Sequence, residues 1–92
     1  MDDLAPISNA RPPYTPARND LEQAVVAIWQ DLLHVENVGV EDNFLFLGGE
    51  SLLAMQAIAC IHERFDVQIS VRSVLIGTVA EVAAEIASGG SQ

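Results

Sequence analysis

Residues 42–56 read Asp-Asn-Phe-Leu-Phe-Leu-Gly-Gly-Glu-Ser-Leu-Leu-Ala-Met-Gln, and the organisation of the chain follows from them. Gly48 and Gly49 interrupt whatever precedes them and leave room for another molecule to approach the backbone. A long apolar-periodic segment opens at Ser51, so this serine stands at or near the first turn of a helix with its hydroxyl on the surface. A helix start presents unpaired N–H groups and the positive end of the helix dipole, which stabilise a phosphate held there. The chemistry this arrangement invites is a phosphate ester on Ser51 Oγ.

Working outward, the segment from Ser51 to about Arg64 reads as a helix. At 100° per residue, Ala54, Ala57, Ile58, Ile61 and Phe65 cluster on one side and define its buried face, with Leu53 at the border. Leu52, Met55 and Ala59 fall far from that centre, on a solvated face shared with Gln56 and Glu63, with Leu52 almost opposite and Met55 well to the side. Scattered surface apolars are normal, but Leu52 and Met55 adjoin Ser51, and methionine adapts to several partners. They are read as docking residues. Upstream, residues 35–50 form a connection whose Val38, Val40, Phe44 and Leu47 are too apolar for a solvated loop. A connection this long in a small domain is usually functional, and its task here is to deliver Gly48, Gly49 and Glu50 to the serine.

An earlier helix begins near Asn19, where Asn19 and Glu22 make a capping-box-like start, with an earlier first turn at Thr15-Pro16 as the alternative, and ends near Leu33 or His34. Leu21, Val25, Ile28 and Leu32 recur along it at helical spacing, with Trp29 packing beside them. Downstream, Asp66 starts a turn and Ser70 caps a short helix over about Val71–Leu75. Thr78 with Glu81 forms a capping box for a last helix whose stripe is Val79, Val82, Ala83 and Ile86. Residues 1–15, with Pro6, Pro12 and Pro13, read as a mobile arm, and residues 88–92 as a flexible tail. The expected fold is an all-α four-helix bundle over residues 16–87, with three longer helices, one short helix and a long first loop.

Composition sets further bounds. Ninety-two residues make one domain with a modest core and no room for a deep enzymatic cleft. The formal net charge is −9, with no lysine and only four arginines. Nucleic acid and anionic membranes need a basic face and are excluded as partners, while partners with basic docking surfaces are favoured. Cys60 is the single cysteine, so an intrachain disulfide is ruled out. The first residues lack the basic start and apolar core of a secretion signal, and no apolar run approaches the roughly 20 residues that span a bilayer. The expected setting is the cytoplasm, and the expected state a monomer.

Rival chemistries fit less well. A hydrolase elbow needs glycine two residues after the serine, where Leu53 stands, and a preceding strand. His34 and His62 have no Cys, Asp or Glu at ligand spacing and are given no catalytic or metal-binding role. His34 is expected to end the first helix by interaction with its dipole. Cys60 lies at the edge of the buried face with no activating cation beside it and reads as inert packing.

The stretch DNFLFLGGESLLAMQ resembles the D-x-F-x-x-L-G-G-x-S-[LI] signature of the peptidyl carrier proteins of nonribosomal peptide synthesis. The resemblance runs from about Tyr14 to Ala87 and includes Trp29, Val38-Gly39-Val40, Asp42, Phe44, Leu47-Gly48-Gly49, Ser51-Leu52 and Phe65 in order. It implies a carrier without a catalytic site of its own. A phosphopantetheinyl transferase, using coenzyme A and Mg²⁺, would attach 4'-phosphopantetheine to Ser51. An adenylation enzyme would load an aminoacyl or aryl group as a thioester, and condensation, tailoring or thioesterase enzymes would use it. Gly48, Gly49, Glu50 and Leu52 surround the site, and Leu52, Met55 and Phe46 are the docking candidates.

Four positions depart from the family's habit. His34 stands where glycine is more frequent. Glu50 replaces the usual His or Asp, and a role in partner choice and plain solvation are equally open for it. Phe46 stands where an acidic residue is common, and packing under the loop and exposure as a contact are both open. Gly77 replaces a proline before the last helix. Met1 with only a short arm, and a polar end, predict a free-standing carrier. Two other readings stay in play: an acyl carrier of fatty acid or polyketide synthesis, disfavoured because Glu63 is the only acidic residue of the second helix after the serine, and an unmodified interaction module.

Overall fold

The computed structural model of the chain describes residues 14–90. Four helices follow one another: α1 (Asp20–Leu33), α2 (Ser51–Phe65), α3 (Val71–Ile76) and α4 (Val79–Ala87). Among the described residues there is no strand, only two isolated backbone bridges, Asn43 with Thr78 and Gln68 with Gly90. The all-α expectation and the positions of all four helices hold. α4 packs on α1, α3 on α2, and α1 on α2.

Three of the four helix starts follow from a side-chain cap. At α1, Asn19 Oδ1 accepts from the Glu22 N–H at 2.8 Å. The second half of the expected capping box does not form, because the Glu22 carboxylate turns to Arg18 instead. It accepts from the Arg18 backbone N–H (2.8 Å), Nε (3.0 Å) and Nη2 (2.6 Å). A guanidinium fork offers charge-assisted bonds stronger than the one neutral N–H of Asn19. Glu22 is buried, and the Arg18 hydrogen bonds hold its carboxyl below the ordinary value of 4.5 against the opposing effect of burial. At α3 the Ser70 hydroxyl accepts from Ser73 N–H, and at α4 Thr78 and Glu81 complete a reciprocal capping box.

Helix ends are less expected. His34 closes α1 in the left-handed conformation (φ 57°, ψ 43°), its N–H bonded to Gln30 O. The backbone takes the left-handed cap conformation here, and histidine occupies a position that glycine fills without strain. Asp66 ends α2 the same way. At α4, Gly89 N–H bonds to Ile86 O and Gly90 N–H to Glu85 O, the paired pattern of a glycine C-cap. Residues 88–90 of the expected tail are thus part of the helix cap. Residues 91–92 lie outside the described residues.

The core draws on all four helices, on the long connection and on Ile69 between α2 and α3. Trp29 and Phe44 are fully buried, ring edge against ring face, with centroids 4.9 Å apart and planes at 71°. Val38 and Val40 are buried beside them, which explains the apolar character of residues 35–50. That connection is also bonded to its surroundings. Asp42 Oδ2 accepts from Gly39 N–H at 2.8 Å, Val79 and Ala80 donate to Asp42 and Val40 carbonyls, and Val40 N–H donates to Thr15 O at 2.8 Å. Thr15, expected in the arm, therefore packs on the domain. Residues 1–13 of that arm lie outside the described residues.

Candidate functional site

Ser51 is the first residue of α2 and is exposed. Glu50 is the N-cap in extended conformation, also exposed, and its side chain makes no capping hydrogen bond. The first turn of α2 therefore lacks the side-chain acceptor that caps α1, α3 and α4. An anionic ester on the Ser51 hydroxyl fits this helix start, which supplies positive dipole and an exposed nucleophilic oxygen.

The approach to the serine is a tight coil. Leu47 N–H donates to Asn43 O, Gly48 N–H to Leu45 O, and Gly49 N–H to Phe44 O at 2.9 Å. Asn43 Oδ1 accepts from Phe46 N–H at 3.1 Å. The two glycines serve different purposes. Gly48 has φ 102° and nothing within 4 Å of an added Cβ, so the backbone conformation demands it and the space beside it is open. Gly49 is buried, and an added Cβ would lie 2.3 Å from Phe44 Cδ2 and 2.8 Å from Phe44 O. The expected room for an approaching molecule exists at Gly48 only. At Gly49 the space is filled by Phe44, whose ring also packs against Trp29.

The chain on either side of the serine carries exposed apolar side chains, which together are called the collar. Leu52 is 62% exposed, Met55 59% and Phe46 50%, so the open question at Phe46 is decided in favour of exposure. Leu45 and Ile76 are exposed to a similar degree and escaped the sequence reading. Leu45 N–H reaches Leu75 O at 3.4 Å, bringing it against the last turn of α3. Only the alternation Phe44-in, Leu45-out hinted at this, and α3 is too short to show a periodic face. From Asn43 to Cys60, Glu50 is the only charged residue.

Ile58 corrects the expected burial of α2. Ala54, Ala57 and Ile61 are buried, but Ile58 and Phe65 are only partly so. Ile58 lines an open groove of about 230 Å³ with Met55, Gln68, Ile69, Ser70 and Val71. A larger hollow of about 400 Å³ between α1 and α2 includes Cys60 and Arg64, in the half of α2 remote from Ser51. His34 and His62 are exposed on different helices, and the nearest charged contact of His62 is Asp66 at 3.8 Å. Among the described residues no group of three or more His, Cys, Asp or Glu is arranged to hold a metal ion, and no helix is long and apolar enough to cross a membrane.

Comparison with known proteins places this geometry in a family. The model of the phosphopantetheine attachment site matches residues 23–86. Bacitracin synthase 1 of Bacillus licheniformis is 42% identical over 74 residues, which cover 79% of this chain and 1% of that protein. The chain therefore spans a very small part of that curated relative. A peptidyl carrier protein solved with the phosphopantetheine transferase Sfp and coenzyme A superposes with TM-score 0.77 at 29% identity, covering 82% of this chain and 99% of the other. McyG A-PCP, solved with phenylalanyl-adenylate, gives TM-score 0.71 at 30% identity over 78% of this chain and 12% of the other. The chain belongs to the phosphopantetheine attachment-site family, whose members carry 4'-phosphopantetheine.

Proposed function

We propose that this chain is a peptidyl carrier domain that holds 4'-phosphopantetheine on Ser51 and presents an aminoacyl or aryl group to the enzymes of nonribosomal peptide synthesis. The observation that carries the reading is the exposed Ser51 at the uncapped start of α2, flanked in the chain by exposed apolar side chains. When attached, the group supplies a terminal thiol on a long flexible arm. The chain's own part is positional. The Phe44–Gly49 coil fixes where the serine stands, the α2 dipole stabilises the ester's charge, and the collar offers a landing surface. A rigid platform with a tether raises the local concentration of the carried group at each active site.

The chain does no bond-making itself in this reading. A phosphopantetheinyl transferase modifies Ser51, an adenylation enzyme loads the thiol, and condensation, tailoring or thioesterase enzymes act afterwards. The likeness to carriers solved with Sfp and in McyG A-PCP supports the first two partners. A transferase drawing on coenzyme A favours a cytoplasmic setting, and so does Cys60, the lone cysteine. The acyl carrier reading is weaker because the residues around Ser51 are apolar and almost uncharged. Loading separates the two. The pantetheinylated chain, given ATP, an amino acid panel and an adenylation domain, is expected to gain an aminoacyl mass that thiol reagents remove. Acceptance of fatty acyl groups alone, with no amino acid loaded by any adenylation domain tried, would overturn the peptidyl reading.

A further inference from the structure

α3 spans six residues, Val71–Ile76, and helices this short do not hold their own shape. Its position must come from its neighbours. It packs on α2 and is tied at both ends. At its C-terminal end the ties come from the long connection: Leu45 N–H to Leu75 O and Asn43 Nδ2 to Gly77 O, both 3.4 Å. These are long for hydrogen bonds and correspondingly weak.

The tie at the other end comes from α4. After its glycine cap the chain meets the α2–α3 connection, and Gly90 pairs with Gln68 in a parallel bridge. The approach is close: a Cβ on Gly90 would lie 2.5 Å from both Gln68 O and Val67 Cγ1, and the residue has φ 93°. Gln68, Ile69, Ser70 and Val71 form one wall of the groove whose other wall is Met55 and Ile58 of α2. Gly90 therefore backs that wall.

We propose that Gly90 is a latch. Its contact with Val67 and Gln68 holds the α2–α3 connection against the end of α4 and sets the spacing between α2 and α3. Release leaves α3 held by its apolar packing and two long hydrogen bonds, free to shift on α2 and to change the groove beside Met55. The consequence for partner enzymes rests on the carrier reading, whereas the latch itself does not.

Native-state hydrogen exchange on the full chain, read amide by amide, tests it. Gly90→Val adds a branched side chain where neither the space nor the φ permits one. The expected result is exchange at least about tenfold faster at Val74 and Gly77, whose N–H groups bond to Ser70 and Ser73 carbonyls. Amides of Val25–Trp29 in α1 should keep their rates. Unchanged rates in α3, or equal acceleration in α3 and α1, would overturn the latch. Gly90→Ala, a smaller intrusion, provides the same comparison if the valine chain does not fold. Ser51 need not be modified for this measurement, so its failure leaves the carrier reading standing, and failed pantetheinylation leaves the latch standing.

Discussion

At residue 49 an added methyl group meets the Phe44 ring at 2.3 Å, while at residue 48 it meets nothing. Gly49→Ala must push Phe44 off Trp29 or distort the coil, and overpacking of this kind costs about 1–3 kcal/mol. Gly48→Ala is strained only by its positive φ, at about 1–2 kcal/mol. Denaturant midpoints should rank Gly49→Ala as the more damaging, and the reverse order would contradict the assigned roles. The pair of glycines before a serine was legible in the sequence as a break and a site. Their division of labour was not, because it depends on a ring contact between Phe44 and Trp29, fifteen residues apart in the chain. Glu50 shows the same limit from the other side. Nothing in its residue type reveals that it takes the N-cap position without using its carboxylate to cap.

At the scale of the helices, the start of α1 makes a pH prediction. Glu22 is held below 4.5 in the folded chain by Arg18. The stabilisation is therefore complete above the unfolded value near 4.5 and is lost as pH falls through the lower folded value. Arg18→Gln should be less stable than wild type at neutral pH, and the difference in denaturant midpoint should shrink below about pH 4.5. A difference that stays constant into acid would show that the carboxylate is not its source. At the other end of α1, His34→Gly should stabilise the chain by about 1 kcal/mol, since glycine adopts the left-handed cap freely. A lower melting temperature would contradict this. α2 offers the sharpest contrast. Ile61→Ala should cost about 2–5 kcal/mol, and Ile58→Ala only about 1–2 kcal/mol, because part of Ile58 already meets solvent in the groove. The helical wheel placed Ala54, Ala57 and Ile61 correctly. It put Ile58 with them because periodicity gives an angle, and only the position of the α2–α3 connection decides whether that angle is covered.

For the whole molecule, the fold was readable because local signals agreed: caps at Asn19, Ser70 and Thr78, three amphipathic stripes, and one long apolar connection; the family was readable from the resemblance of residues 42–52 to a carrier signature. The ties that join elements were not readable. The Gly90–Gln68 bridge and the Leu45–Leu75 contact depend on packing between segments far apart in sequence. The docking collar was half visible for the same reason, Leu52 and Met55 from helical angle but Leu45 and Ile76 only in space. Met55→Glu tests the collar without touching the core. It should leave stability within about 0.5 kcal/mol of wild type, since the side chain is 59% exposed, yet slow loading by an adenylation enzyme through lost apolar contact. Strong destabilisation with normal loading of the folded fraction would move the docking surface elsewhere.

The central claim is that Ser51 is the point at which the carrier arm is attached. Intact mass before and after incubation with coenzyme A and a phosphopantetheinyl transferase, on wild type and Ser51→Ala in parallel, tests it most directly. The wild-type chain should gain one phosphopantetheine unit, localised to Ser51 by peptide fragmentation. Ser51→Ala should gain none while remaining folded, with stability within about 0.5 kcal/mol of wild type, because the lost hydroxyl is exposed and is not the cap of α2. A Ser51→Ala chain that still acquires the unit, or a folded wild-type chain that never does, would contradict the account.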